Sequence, residues 1–283
     1  MADVFDIHTH VISADTGRYP LAPLDGKQSD WSRTRPVDAD GLIAEMDRAG
    51  VAKSAVVHAS TAYGFDNSYL ADSVGRHGDR FTGVFSIDML ADNACAAFER
   101  WIAAGLTGLR LFTTGSTSPG QADWLADPAT FPVWERAEAR GLPVCLQMRP
   151  EGVGDLLKLL ARFRTVPIIL DHLARPVLSD GPPYAAARWL FDLAQYPNIF
   201  LKLTSRTVEQ AQEGKSTAQE FFPRLVAAFG AERIAWGSNF PAHAGPMSRL
   251  LDEARHALAC LSERERDAIF AGTARRLYPA LAR

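Results

Sequence analysis

With 283 residues, 47% of them hydrophobic and 22% charged, the chain has a globular composition and room for one large α/β domain or two ordinary ones. A formal charge of −3 with scattered basic residues excludes a general nucleic-acid surface, which needs clustered cations to release counterions from phosphate. Three cysteines, Cys95, Cys145 and Cys260, are odd in number and far apart, so neither a disulfide framework nor a paired-thiol metal site is expected.

The N-terminus, MADVFDIHTH, reaches a histidine-bearing strand with no basic region and apolar core before it. No apolar run approaches the ~18 residues of a bilayer span. A cytoplasmic protein without a leader or membrane contact is therefore expected. Short β-branched runs predict strands over Val4–His10, Ser54–Ala59, Gly83–Asp88, Gly108–Phe112, Pro143–Met148, Pro167–His172, Ile199–Thr204 and Ile234–Asn239. Between them, helical periodicity marks Asp38–Ala49, Asp92–Ala104, Phe131–Ala139, Val153–Phe163, Pro183–Ala194 and Glu220–Phe229, with closing helices over Met247–Leu258 and Glu263–Leu277. Eight βα units predict an α/β protein, a single-domain (β/α)8 TIM barrel over 1–283. The competing doubly wound sheet lacks a GxGxxG turn after its first strand. Residues 11–36, rich in Pro, Gly and Asp and carrying Tyr19, Trp31 and Arg33, follow the first strand. They are expected to form a lid over the C-terminal mouth, with a plain surface excursion as the alternative.

In such a barrel the chemistry sits at the C-terminal strand ends, and polar residues recur there. The first strand ends His8-Thr9-His10, and alternation points both imidazoles to one side, able to converge on a ligand or a metal. The second ends at His58, the fourth carries Arg110 and the fifth ends Gln147-Met148-Arg149. The sixth ends Asp171-His172, the seventh carries Lys202 and leads to Arg206, and the eighth ends at Asn239. Singly, each has a structural reading: a strand-end histidine braces by hydrogen bonding, and Arg110 could be an internal ion-pair residue. Together they predict one shared site. Tyr63 and His243 are further candidate contacts, and His77 and His256, in helical stretches, receive no role.

The segments FDIHTH, SAVVHAS, YGFDNSYL, GLRLF, DHLARP, RIAWGSNFP and ARRLYPAL resemble the amidohydrolase superfamily. Within it they resemble the branch containing pyrone-dicarboxylate lactonase, sugar-acid lactonases and galactarolactone isomerase. The resemblance implies catalytic roles for His8, His10 and His172, a substrate-carboxylate contact for Arg110, and work without a metal. It also implies a strand-eight base, usually aspartate, at the position that Asn239 holds. A mononuclear zinc on His8, His10 and His172 is the alternative. Arg110 brings positive charge to the same pocket and disfavours a dication.

Three functions follow. The first is a hydrolase of a lactone or cyclic ester of a carboxylated small molecule. Histidines polarise the carbonyl, and Arg110 and Arg206 bind carboxylate, with Gln147, His58, Tyr63 and His243 as further substrate contacts. The second is a lactone isomerase in which Asn239 orients a substrate hydroxyl. The third is a non-catalytic ligand-binding barrel. The expected partner is a small anionic substrate, and the sequence does not specify the oligomeric state.

Overall fold

The computed structural model describes residues 3–115 and 120–282; residues 1, 2 and 283, the ends of the expected domain span, lie outside them. Eight parallel strands pair strictly in sequence order: β1 (Val4–Thr9), β2 (Val51–Val57), β3 (Phe81–Phe85), β4 (Gly108–Phe112), β5 (Val144–Gln147), β6 (Ile168–Asp171), β7 (Ile199–Thr204) and β8 (Ile234–Gly237). The seam between β8 and β1 closes at the mouth, where Asn239 N–H donates to the His8 carbonyl (2.8 Å) and His10 N–H to the Phe240 carbonyl (2.9 Å). The result is the expected (β/α)8 barrel. Among the described residues no helix is long and apolar enough to cross a membrane.

The helices form where an apolar stripe can be capped. In Ala39–Ala49, Ala39, Leu42 and Met46 recur at helical spacing and are buried. Asp38 accepts from Gly41 N–H at the start, and Gly50 ends the helix in a left-handed conformation (φ 71°). Several boundaries differ from those predicted. Short helices at Ser60–Tyr63, Ser68–Arg76 and Ser205–Gln210 follow β2 and β7. The predicted Pro183–Ala194 helix is reduced to an α-helical Arg188–Asp192 between 3-10 turns, because Tyr184, directly after Pro183, is left-handed (φ 63°) and cannot continue a right-handed helix. Glu263–Leu277 is broken by a π turn at Ala268–Gly272.

Two local features aim the site. Between Asp6 and Thr9 the β1 chain advances three residues while β2 advances two, from Ser54 to Val56. Such an irregularity re-aims side chains. Ile7 can therefore pack in the barrel interior with Ala55, Val57 and Cys145, while His8 still turns towards Asp171. The other feature is Gly237: a Cβ there would lie 2.6 Å from the His8 Cβ, so only glycine lets β8 pass the imidazole. The opposite end of the barrel is filled by the C-terminal segment, whose Tyr278 hydroxyl lies 3.4 Å from Cys145 Sγ.

Candidate active site

At the C-terminal mouth lies a cavity of about 370 Å³ lined by His10, Trp31, His58, Ser60, Thr61, Arg110, Phe112, Thr114, Gly115, Gln147, His172, Arg175, Arg206, Asn239 and Ala242. Of the ten candidate site residues from the sequence, seven line it: His10, His58, Arg110, Gln147, His172, Arg206 and Asn239. His8 lies beneath them, fully buried. Its ring is 5.0 Å from that of His10 and 5.1 Å from that of His172, centroid to centroid. Tyr63 and His243 are not among the lining residues. The Tyr63 hydroxyl accepts from Ser13 N–H (2.7 Å) and so ties segment 11–36 to the helix after β2. His243 Nε2 faces Glu209 (3.3 Å).

The histidine contacts fix much of the chemistry. A carbonyl oxygen only accepts hydrogen bonds. His10 Nδ1, 2.8 Å from the Val57 carbonyl, therefore carries the proton, and Nε2 keeps its lone pair. His58 is the mirror case: Nε2–H donates to the Gly64 carbonyl (2.8 Å). His172 Nδ1 meets the Thr204 hydroxyl at 2.7 Å. Both ring nitrogens of His8 lack a hydrogen-bond partner among the described residues. Burial, aided by the charge of Arg110, holds His10 down at about 3. Burial holds His172 at about 3 and His58 at about 4. His8 is lowered well below its ordinary value, first by burial and then by Lys202. All four are neutral imidazoles at pH 7.

Beneath the cavity a buried ion network sets its charge. Asp171 and Lys202 are register partners across β6 and β7, and Lys202 Nζ lies 2.7 Å from Asp171 Oδ1. Arg110 Nε donates to the other carboxylate oxygen (2.8 Å), and its Nη2 donates to Gln147 Oε1 (2.6 Å). Burial opposes ionisation of Asp171, but Lys202 and Arg110 outweigh it and hold the carboxyl below its usual range. Arg110 is thus an internal ion-pair residue and a wall of the cavity at once. The sequence places Lys202 and Asp171 on neighbouring strands but not their ion pair, because strand alternation does not say which buried ions meet.

Arg175 was also missed. It follows β6 in a turn whose residues His172, Leu173, Ala174 and Arg175 all have positive φ (54°, 54°, 56° and 58°). Left-handed non-glycine residues cost about 1–2 kcal/mol each and concentrate where function demands them. This turn brings both His172 and Arg175 into the cavity wall. Arg175 Nε is buried without a hydrogen-bond partner among the described residues. Burial and the neighbouring Arg206 and Arg149 lower its basicity. Asn239 is left-handed as well (φ 61°), a conformation that asparagine and aspartate tolerate better than most residues. Of the expected lid, Trp31 lines the cavity, its ring 5.0 Å from that of His10. Arg35 donates to the Pro241 and Ala242 carbonyls at 3.3 and 3.2 Å. Tyr19 instead donates to Asp72 (2.5 Å), and Arg33 pairs with Asp30 (3.2 Å).

Zinc fits these residues poorly. His8, His10 and His172 could offer three nitrogens, but among the described residues no three metal-binding groups are placed to hold an ion. The nearby carboxylate, Asp171, already holds the ammonium of Lys202 (2.7 Å) and the guanidinium of Arg110 (2.8 Å). Each unit of like charge at ~4 Å costs on the order of 4 kcal/mol at an effective dielectric of ~20, so a dication there is opposed by charge.

The amidohydrolase family profile matches residues 5–280. The L-fucono-1,5-lactonase of Burkholderia ambifaria is 27% identical over 83% of this chain and 79% of its own length. The 4-sulfomuconolactone hydrolase of Rhizobium radiobacter is 25% identical over 85% and 76%. A putative 2-pyrone-4,6-dicarboxylic acid hydrolase from Pseudomonas putida shares the fold, with a TM-score of 0.78, 20% identity and coverage of 99% and 98%. Profile, relatives and barrel agree: this chain belongs to the amidohydrolase family and is an enzyme of the hydrolase class.

Proposed function

We propose that the protein hydrolyses a lactone bearing a carboxylate or other oxyanion group, without a metal. The observation that carries this reading is the charge of the cavity. Arg110, Arg175 and Arg206 line it, and no Asp or Glu does among the described residues. A cationic pocket with a buried, unpartnered guanidinium donor suits an oxyanion, which arginine can grip with two parallel hydrogen bonds. Similarity to a 4-sulfomuconolactone hydrolase and to a putative 2-pyrone-4,6-dicarboxylic acid hydrolase supports an anionic lactone. The ammonium of Lys202 beneath the imidazoles supports the metal-free form of the reaction.

In this reading His10 accepts a proton rather than polarising the carbonyl. With Nδ1–H held by Val57, its Nε2 lone pair takes a proton from water as the water oxygen bonds to the acyl carbon. Arg110 and His172 donate to the developing oxyanion, His172 through Nε2–H when its Nδ1 accepts from the Thr204 hydroxyl. The ring C–O bond then breaks, and the alkoxide recovers the proton from His10. Bound substrate anion offsets the arginines that hold His10 in its neutral form, so the base strengthens when substrate arrives. His58 and Asn239 orient substrate hydroxyls.

A chelator-treated preparation assayed by pH-stat against carboxylated, sulfonated and uncharged lactones tests this. Turnover of the anionic lactones should survive chelation and exceed that of uncharged ones. Equal rates on uncharged lactones, or loss of all turnover with chelator, would overturn the reading.

Asn239 favours a second reading, lactone isomerisation. An amide at the cavity wall can orient a substrate hydroxyl for attack but cannot deprotonate water. Labelled water separates the two: hydrolysis places one solvent oxygen in the product, isomerisation none.

A further inference from the structure

We infer that a second, apolar cavity at the barrel mouth takes an uncharged hydrocarbon arm of the substrate, so that the ligand is an oxyanion-bearing lactone with an alkyl or aryl substituent. The inference deepens the reading above and rests on its anionic pocket, but its test needs no turnover.

The cavity has a volume of about 160 Å³, and Phe65, Ile87, Met89, Leu90, Phe112 and Trp124 form much of its wall. Ligand sites are mostly apolar concavities of this kind beside a few fixed polar groups. The fold sets its place. Ile87–Leu90 lie just past β3, Phe112 ends β4 with Trp124 beyond it, and Phe65 follows the short helix after β2. All are therefore on the mouth side of the barrel. Leu24, in the segment after β1, completes the wall, and Ala22 N–H holds that segment down through the Ala62 carbonyl (2.8 Å). Phe112 is the only described residue that also lines the arginine cavity. Its ring stacks on that of Phe65, with centroids 6.0 Å and planes 16° apart. A lactone held at Arg110 thus has its substituent one aromatic side chain away from the second cavity.

Charge sets which end of the ligand goes where. Arg110, Arg175 and Arg206 line one cavity, whereas the charged residues on the other are Asp25 and Asp88. An oxyanion is drawn to the first and repelled from the second, so the end that enters the second carries no negative charge. Asp88 already accepts from Leu90 N–H (3.0 Å). Size limits the arm: an apolar cavity of ~150 Å³ holds a benzene ring, so one phenyl group or a short alkyl chain fills this one. Leu90 is 48% exposed and leaves apolar surface for the arm to cover.

Calorimetric titration of the full chain with methylsuccinate, propylsuccinate and phenylsuccinate tests this. At about fourfold per buried methylene, propylsuccinate should bind roughly 15-fold tighter than methylsuccinate. Phenylsuccinate should bind at least as tightly as the propyl compound. Leu90→Glu and Trp124→Ala should bring the propyl-to-methyl ratio to within about twofold. Leu157→Glu should keep it, because this exposed leucine on Val153–Arg162 lines neither cavity. Leu90→Glu decides alone if Trp124→Ala does not fold. A flat series in wild type overturns the inference, as does a steep one that survives Leu90→Glu or is lost equally in Leu157→Glu. So does tighter binding of 3-aminopropylsuccinate than of propylsuccinate, which would make the cavity a cation site of Asp25 and Asp88. A flat series beside turnover of anionic lactones sinks this inference and leaves the hydrolase. A steep series beside no turnover leaves this site and sinks the hydrolase.

Discussion

His10 Nδ1 lies 2.8 Å from the carbonyl oxygen of Val57, and that bond decides which ring nitrogen can accept a proton. With burial and Arg110 holding the imidazole at about 3, the base proposed above stays unprotonated in the free protein far below neutrality. The kcat/KM for an anionic lactone should therefore stay level from about pH 8 to about pH 5, rather than fall around the ordinary histidine value of ~6.5. A pH–rate profile of the unmodified enzyme checks this, and an acid limb centred near that ordinary value would contradict it.

Stability should behave differently. For a histidine lowered on folding, the unfolded chain binds more protons between the two values, so stability is complete above ~6.5 and lost as pH falls. His10 and His172 at about 3, His58 at about 4 and His8, lower still than ordinary, all act in this sense. Asp6, raised by burial to about 6, opposes them, because the folded chain holds its proton more tightly. Four imidazoles outweigh one carboxyl, at about 1.4 kcal/mol per pH unit for each net proton. Urea midpoints should fall markedly between pH 7 and pH 5; an unchanged midpoint would show that these rings are not held neutral.

Asn239→Asp restores a carboxylate at the end of β8. The left-handed backbone (φ 61°) accommodates aspartate, and the Asn239 N–H bond to the His8 carbonyl is a backbone bond that survives the change. Thermal stability should be little altered. Hydrolysis should rise at least ~10-fold, within the ~10²–10⁴ that a general base contributes. Product analysis in labelled water would register the gain, and a fall in the native reaction with no gain in hydrolysis would favour isomerisation.

Arg110→Met removes the bonds to Asp171 and Gln147 together. Charged hydrogen bonds contribute about 1.5–3 kcal/mol, so affinity for a competing dicarboxylate should drop by roughly 10–100-fold. Arg110→Lys should not restore it, because an ammonium cannot span both partners. Calorimetric titration distinguishes the outcomes, and unchanged affinity would remove Arg110 from the binding site.

Gly237→Ala places a methyl 2.6 Å from the His8 Cβ. Over-packing of this kind costs about 1–3 kcal/mol, and the displaced imidazole should carry activity down with it. Denaturant midpoints and kcat measured together would show both losses; normal activity in a destabilised protein would separate His8 from the chemistry.

Most of the barrel was legible in the sequence, because hydrophobic runs alternating with amphipathic stretches read the same way in any tertiary setting. Strand ends were less so. β6 stops at Asp171 and β8 at Gly237, since His172 and Asn239 turn left-handed, which side-chain identity does not announce. Seven expected residues line the cavity because strand-end polar groups in a barrel share one mouth. Tyr63 and His243 lie beyond their strand ends and are turned away from the cavity by tertiary partners, Ser13 and Glu209. Lys202 on β7 and Asp171 at the end of β6 could be read as strand residues, but their pairing depends on register between neighbouring strands. Arg175 needed the left-handed turn.

The seam of the barrel runs through the site itself, since His8 and His10 on the first strand bond to the backbone of Asn239 and Phe240 just past the last. A growing chain thus carries both first-strand histidines from the outset, yet it cannot assemble the cavity until residue 240 has been made and has returned to the start. Contacts so distant in sequence form late and slowly. A chain cut before residue 239 should therefore lack both the seam bonds and the cavity wall that Asn239 forms.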